Sequence, residues 1–207
     1  PGDACFAQVR LEAPTAVLKG DHYVLRSYSP VRTIGGGVVL NALPRKMKRY
    51  SQVVHDQFKK LNEGDLPETV ELFVFLGRTQ GVEEGQLSFL VNCGKKRLDD
   101  VLQTLKAQQR IVLYDKERGG LIHADFLEKV RKEILDTVEK YHQTFPLKSG
   151  LPKEELRSRT MGARNPKLFN YLVNELAREG HISQEKEMIR ARHHRVTLAQ
   201  DQEETRS

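Results

Sequence analysis

The chain is poor in the residues and runs that mark several classes of protein. It has no Trp, 7% aromatic side chains and only two cysteines in 207 residues. Cys5 and Cys93 lie too far apart to suggest a disulfide framework, which favours a reducing compartment. No apolar run approaches the roughly 18 residues that a membrane span needs, and no basic segment followed by an apolar one opens the sequence. These absences predict a cytoplasmic protein that does not bind a membrane.

The sequence also lacks the motifs of nucleotide-dependent catalysis. A GTPase needs a Gly-x-x-x-x-Gly-Lys-Ser/Thr loop to cradle phosphates, and the 207 residues contain none. The run Gly35-Gly36-Gly37 does not replace it, because it lacks the third spaced glycine and the following helix of a dinucleotide-binding turn. His193 and His194 have no Cys or carboxylate neighbours at metal-ligand spacing. We therefore expect no catalytic residue, no metal and no cofactor in this chain.

The first part of the chain has the pattern of β structure. Residues 5–40 alternate as short strands broken by Gly, Asp and Pro, and the three glycines at 35–37 would let the backbone turn a barrel corner. No helical periodicity occurs there.

From residue 50 onwards the periodicity is helical, and the same order of elements occurs twice. In the first unit, helices begin near Ser51, Leu66, Glu83 and Lys95, and a hairpin follows over 111–123. In the second unit, helices begin near Asp125, Pro152 and Pro166, and a hairpin follows over 182–192. Helices followed by a hairpin are typical of the winged-helix fold. His142 ends the long helix of the second unit, as a C-terminal cation or as a packing residue.

Two stretches carry a resemblance to a known family. Gly20-Asp21, Arg26 and Thr33-Ile34-Gly35-Gly36-Gly37 resemble the third domain of translational GTPases of the elongation-factor-Tu type. Together with the stretch 141–151 and the helical extension that carries it, they resemble the bacterial selenocysteine-specific elongation factors, SelB. The barrel motif alone would fit several translational GTPases, and the helical half makes the resemblance specific.

The resemblance implies an α+β multidomain protein, in which a partial β-barrel of the translation-factor type precedes two tandem winged-helix domains. The expected domains are the end of the third-domain barrel over 1–45, winged-helix domains over 46–123 and 124–198, and a tail over 199–207 that leads to a missing next domain. The chain would then be a piece of a longer protein. With half a barrel, its strand edges would be open.

The resemblance also implies a function. Such a factor delivers selenocysteinyl-tRNA to the ribosome at UGA codons, and it recognises a hairpin in selenoprotein mRNA. This piece would be the connecting arm, non-catalytic and monomeric, which binds RNA or protein. The parent protein would be a GTPase that binds GTP and magnesium in a domain absent here.

Positive charge is concentrated just after Pro44. Residues 1–49 hold 8 basic and 3 acidic side chains, whereas residues 50–123 hold 10 and 11. Four cations lie within five positions: Arg45, Lys46, Lys48 and Arg49. They would either face an RNA phosphate backbone or form a solvated linker between two domains, and the sequence leaves both interpretations open.

Winged helices bind nucleic acids through the last helix of the trio and through the wing. The candidates for RNA contact in the first unit are Lys95, Lys96 and Arg97, although Asp99 and Asp100 weaken their field. The candidates in the second unit are Arg157, Arg159, Arg164, Lys167, Arg190, Arg192, His193 and Arg195. Aromatic side chains are not interleaved with these cations, so we expect contacts to backbone and shape with weak sequence preference.

Two other classes of function compete with this interpretation. A winged-helix DNA-binding regulator with a small β domain would have a clearly basic recognition helix and a two-fold partner, and the near-neutral first unit argues against it. A protein-interaction scaffold would suit residues 50–123 but would leave the barrel motif unexplained.

Overall fold

The computed structural model describes residues 2–47 and 51–194. The chain divides into two compact units, which are called the first and second units from here on. The first comprises residues up to Leu76 together with Val82–Ile111, and the second comprises Gly77–Gly81 together with the chain from Val112 onwards.

A β-hairpin forms the best-defined part of residues 2–47. Strand β1 (His22–Arg26) pairs antiparallel with β2 (Thr33–Val38), so that Tyr23 lies opposite Gly37 and Val24 opposite Gly36. A Cβ atom at Gly36 would lie 2.6 Å from the carbonyl oxygen of Tyr23, and one at Gly37 would lie 2.6 Å from the Tyr23 hydroxyl. Gly36 and Gly37 therefore let the backbone of β2 lie close to Tyr23 of β1. This role differs from the barrel corner that was expected of them.

The series of short strands predicted over 5–40 is reduced to these two within the described residues. Residues 2–21 contain no strand, and both strands of the hairpin are exposed along nearly all their length. Alternation in sequence makes a strand only where its N–H and C=O groups find a ladder partner. The prediction was wrong for residues 5–21 because it relied on alternation alone.

The rest of the first unit is largely helical. Its elements are α1 (Gln52–Glu63), α2 (Leu66–Gly77), β3 (Val82–Glu83), α3 (Glu84–Val91) and α4 (Lys95–Ala107). A reciprocal capping box begins α2: Asp65 Oδ1 accepts from the Glu68 N–H at 2.9 Å, and Glu68 Oε2 accepts from the Asp65 N–H at 3.3 Å. Leu98, Leu102 and Leu105 are buried along one stripe of α4, as its periodicity predicts.

The second unit begins with a hairpin and continues as a three-helix array with a second hairpin. Its elements are β4 (Ile111–Asp115), β5 (Gly120–His123), α5 (Ala124–Thr144), β6 (Leu151–Pro152), α6 (Lys153–Arg159), α7 (Pro166–Arg178), β7 (Ile182–Glu185) and β8 (Met188–Ala191). Two 3-10 turns, Arg78–Gln80 and Met161–Arg164, also belong to it. The strands β6, β8 and β7 form one antiparallel sheet in that order.

One apolar cluster holds this unit together. An apolar stripe of α7 is buried, since Leu168, Phe169, Leu172 and Leu176 each expose no more than 1% of their surface. They pack with apolar side chains from α5, α6 and the sheet, namely Val130, Ile134, Val138, Leu151, Leu156, Ile182 and Ile189. Three helices followed by the β7–β8 hairpin, hereafter the wing, confirm a winged-helix domain and an α+β fold. A search of the described helices finds none with both the length and the apolar character of a membrane span.

Candidate nucleic-acid interface

Asn165 positions the first turn of α7, where a winged helix would meet nucleic acid. Its Oδ1 accepts from the N–H of Leu168 at 3.1 Å and so caps the helix. Its Nδ2 points the other way and donates to the carbonyl oxygen of Gln80 and to the hydroxyl oxygen of Tyr114, each at 3.0 Å. One amide therefore joins the start of α7 to the 3-10 turn at 78–80 and to strand β4.

Lys167, two residues after this cap, is held by two carboxylates of the β4–β5 hairpin. Its Nζ lies 3.0 Å from Asp115 Oδ2 and 2.8 Å from Glu117 Oε2. Burial disfavours the charged form of Asp115, but hydrogen bonds from Lys167 and from two backbone N–H groups outweigh it and lower the pKa of this carboxyl. Hydrogen bonds to Glu117 and Asp115 raise the pKa of Lys167. Lys167, a candidate for RNA contact, is therefore already paired with two carboxylates of the protein itself.

Three more candidates of the second unit are also ion-paired. Arg157 pairs with Glu154, Arg159 with Glu155, and Arg190 with Glu185 on the wing. Exposed pairs of this kind contribute only about 0.2–1 kcal/mol. These arginines can therefore exchange a carboxylate for a phosphate at small cost, but they do not form an unopposed basic surface.

Three other candidates of the second unit have no such carboxylate among the described residues. Arg164 and His193 are exposed, and neither has an ion pair within residues 2–47 and 51–194. The Nη1 atom of Arg192 donates to the carbonyl oxygen of Gly180 at 3.4 Å. Arg195 lies outside the described residues.

The first turn of α4 presents three cations without an ion pair among the described residues, although Asp99 and Asp100 follow them in sequence. Lys95, Lys96 and Arg97 are exposed, and among the described residues none of them has an ion pair. With Gly94 and Asp100 they line a shallow, open depression of the surface. The free N–H groups of a helix N-terminus add positive potential to that of the side chains. The structure thus leaves the cations of the first unit more available than most of those in the second.

The junction cluster is described only in part. Arg45 and Lys46 are exposed, and the Arg45 carbonyl oxygen accepts from Gln8 Nε2 at 3.0 Å. Lys48 and Arg49 lie outside the described residues, as does the tail predicted over 199–207. Among the residues that are described, no group of three or more His, Cys, Asp or Glu side chains is placed to hold a metal ion.

Several side chains that build this region were not predicted. Asp115 and Glu117 carried no signal in the sequence, because their partner Lys167 lies 50 or more residues away. His142 is a buried packing residue, and its pKa is lowered by burial and by the nearby His194. Both causes favour its neutral form, so His142 is a packing residue and not a helix-terminal cation. His194 stacks on it and is not simply a solvated neighbour of His193.

The comparisons with known proteins agree with this architecture. Residues 135–190, which run from α5 into β8, match the family described as elongation factor SelB, winged helix. Over 202 residues the chain is 30% identical to the selenocysteine-specific elongation factor of Desulfomicrobium baculatum, a match that covers 98% of this chain and 32% of the relative. The chain belongs to the SelB family. It spans about a third of the length of that SelB relative.

Two solved structures of SelB-type proteins are also similar. A crystal structure of bacterial selenocysteine-specific elongation factor EF-Sec matches with a TM-score of 0.61 and 20% identity, over 95% of this chain and 28% of that chain. This likeness shows that the fold is shared. The mRNA-binding domain of SelB from E. coli in complex with SECIS RNA matches with a TM-score of 0.44 and 11% identity, over 69% of this chain and 99% of that chain.

Proposed function

We propose that this SelB chain is the connecting winged-helix arm of a selenocysteine-specific elongation factor. The factor delivers selenocysteinyl-tRNA to the ribosome at UGA codons, and the arm links its GTPase and tRNA-binding domains to recognition of the mRNA hairpin. A protein that holds the tRNA and a downstream hairpin at once raises the effective concentration of that tRNA at the recoded codon. The arm itself is non-catalytic, monomeric and cytoplasmic, and GTP and magnesium bind to the GTPase domain of the parent protein.

The proposal of a connecting arm rests on one observation: polar side chains in the first turn of α7 are already bonded to other groups of the protein. In helix-turn-helix proteins the N-terminal residues of the recognition helix contact base edges. Here Asn165 is bonded to Gln80 and Tyr114, and Lys167 to Asp115 and Glu117. Because the start of α7 is bonded to a neighbouring hairpin, a structural role for this helix is favoured over sequence-specific recognition of RNA.

The RNA contacts that we propose are electrostatic. The cations Lys95, Lys96 and Arg97 of α4, which have no ion pair among the described residues, would meet phosphates first, helped by Arg164, Arg192 and His193. Contacts by the paired cations Arg157, Arg159, Lys167 and Arg190 would each require a carboxylate to be released. Arg195 and the junction cluster Arg45, Lys46, Lys48 and Arg49 complete the proposed basic set. Binding of this kind is weak, salt-dependent and nearly independent of sequence.

The proposed domain organisation includes a barrel. The β1–β2 hairpin would be the edge of a partial β-barrel of the translation-factor type, within residues 1–45. Its exposed side chains Val24, Ile34 and Val38 support this assignment, because an isolated two-stranded hairpin is at best marginally stable in water. Winged-helix domains would follow over 46–123 and 124–198.

Fluorescence anisotropy of a labelled selenocysteine-insertion hairpin tests the arm, with a mismatched hairpin and a DNA duplex as controls. We expect weak binding to all three, which disappears between low salt and about 0.15 M salt. Tight, hairpin-selective binding that survives the higher salt would place RNA recognition in the second winged-helix unit and contradict the arm. Selective binding to the duplex would instead favour a DNA-binding regulator.

Matched charge variants identify the surface. The triple variant Lys95→Gln, Lys96→Gln, Arg97→Gln should reduce the magnitude of the negative slope of log K against log salt by about 0.7–0.9 for each phosphate that the protein no longer neutralises. Lys167→Gln should leave that slope unchanged, because two carboxylates already neutralise this lysine. A larger effect from Lys167→Gln than from the triple variant would refute the proposed order of contacts.

A further inference from the structure

Two histidines meet where the chain leaves the wing. His142, in the last turn of α5, exposes only 7% of its surface. Its Nε2 accepts from the backbone N–H of Ala191, the last residue of β8, at 3.1 Å. In a neutral ring the proton is then on Nδ1, and this buried atom has no hydrogen-bond partner among the described residues. The ring is thus positioned as an acceptor.

His194 covers this buried ring from outside. The two imidazoles stack with their centroids 3.7 Å apart and their planes 14° apart. The Nε2 of His194 lies 3.0 Å from the carbonyl oxygen of Lys148, to which it donates. The backbone N–H of His194 donates to the Ala191 carbonyl oxygen at 3.1 Å. The pair therefore joins the end of α5, the loop after it and residues 192–194.

We propose that His142 and His194 form a proton-sensitive latch that fixes residues 192–194 against α5. The latch is closed when both imidazoles are neutral, and it opens when they take up protons. Because residues 192–194 follow β8 directly, the latch fixes the segment by which the chain leaves the wing. The latch does not depend on which RNA or protein the arm binds.

Protonation opposes each contact of the closed latch. A proton on Nε2 of His142 would face the N–H of Ala191, donor against donor. A charged His142 would also be buried with an unpaired Nδ1–H, and a second cation at 3.7 Å would repel it across the stack. Burial first, and then the charge of His194, accordingly lower the pKa of His142.

Two arginines of the wing are engaged away from the pair. On the wing, Arg190 pairs with Glu185, and Arg192 donates to the Gly180 carbonyl. On α5, Tyr141 presents its ring at 6.0 Å from that of His142. The loop after α5 contributes the backbone carbonyl of Lys148. No carboxylate is thus paired with either ring among the described residues, and none offsets the positive charge there.

Amide hydrogen exchange measured by NMR tests the latch in the chain as it stands. Between about pH 7.5 and about pH 5, where histidine titrates, the protection of the Ala191 amide should fall about tenfold or more after correction for intrinsic exchange. The Ile189 amide, in the same strand and paired with Leu151 and Gln184, serves as the internal reference and should keep its protection. Equal loss at both amides would mean general unfolding and would overturn the proposal.

Three variants sharpen the result. His142→Leu removes the acceptor and should leave Ala191 poorly protected at both pH values. His194→Phe keeps a stacked ring without the second charge, so it should fold and lose less protection on acidification than the natural chain. His22→Gln, a change at an exposed histidine of β1, should behave as the natural chain does. An Ala191 amide whose protection stays constant while both imidazoles titrate would rule the latch out.

Discussion

Asn165 and Tyr114, 51 positions apart in sequence, are joined by a 3.0 Å hydrogen bond from the amide Nδ2 to the phenolic oxygen. The same phenolic oxygen donates to the carbonyl of Gln80 at 3.2 Å. Asn165 thus caps α7 and fixes the β4 strand and the 78–80 turn beside it. One side chain thus links the β4–β5 hairpin and the 78–80 turn to the start of α7 within the second unit.

Asn165→Ala should therefore lower the free energy of unfolding by more than the loss of a cap. The N-cap is worth about 1 kcal/mol, and the hydrogen bonds of Nδ2 add about 1 kcal/mol more. Urea denaturation followed by circular dichroism measures the combined loss of stability.

Asn165→Ser separates the two contributions, because serine caps a helix but cannot reach both Gln80 and Tyr114. It should cost about half as much as the alanine change. If the serine and alanine variants are equally destabilised, the cap contributes nothing; if serine equals the natural chain, the bonds of Nδ2 contribute nothing.

The Asp115–Lys167 pair makes a prediction about pH. The lowered pKa of Asp115 means that its contribution to stability is complete above the ordinary Asp value of about 3.9 and is lost as pH falls through the lower folded value. Lys167→Gln should raise the titration midpoint of the Asp115 carboxyl, measured by carbon-13 NMR. Lys116→Gln, at the exposed neighbouring position, should shift it much less. Equal shifts would mean that general field, not the direct bond, sets this pKa.

The local parts of the second unit could be predicted from sequence. The spacing of Leu168, Phe169, Leu172 and Leu176 fixes the buried stripe of α7, and Asn165-Pro166 marks its start, because both signals lie within one helix. The sequence therefore predicts the capping residue but not its second role. Nδ2 of Asn165 reaches groups more than 50 residues away in sequence.

Long-range pairing explains the other differences. Lys167 has the sequence context of an RNA contact, and only the fold brings Asp115 and Glu117 to it. His142 has the position of a helix-terminal cation, but the wing returns to cover it with His194. Residues 5–21 alternate like strands, yet no ladder partner for them occurs among the described residues. In each case the deciding partner is set by tertiary structure.

Gly162 supplies a test of packing beneath α7. A Cβ atom there would lie 2.7 Å from Cδ2 of Phe169, whose side chain is fully buried and cannot move away. Gly162→Ala should therefore destabilise the chain by about 1–3 kcal/mol through overpacking. Gly85→Ala is the matched control, since a Cβ in that helix meets nothing within 4 Å; it should be neutral or stabilise by up to about 1 kcal/mol. Comparable losses from both changes in urea denaturation would argue against the close contact.

Arg131 of α5 donates hydrogen bonds from Nη1 and Nη2 to the two carboxylate oxygens of Glu179, which follows α7. The pair therefore connects the two longest helices of the second unit. The hydrogen bond from Arg131 lowers the pKa of Glu179 against the opposing effect of burial. The free energy that this ion pair contributes to folding is fully present above the ordinary Glu pKa of about 4.3. It is lost as the pH falls through the lower pKa of the folded state.

A double-mutant cycle with Arg131→Met and Glu179→Gln should give a coupling of up to about 1 kcal/mol at neutral pH, because both groups are partly exposed. Arg131→Lys should recover only part of it, since an ammonium cannot bind both carboxylate oxygens in the fork geometry. The coupling should shrink at acid pH, when Glu179 is protonated. A coupling that is unchanged there would mean that the two helices are held by the apolar stems of these side chains and not by their charges.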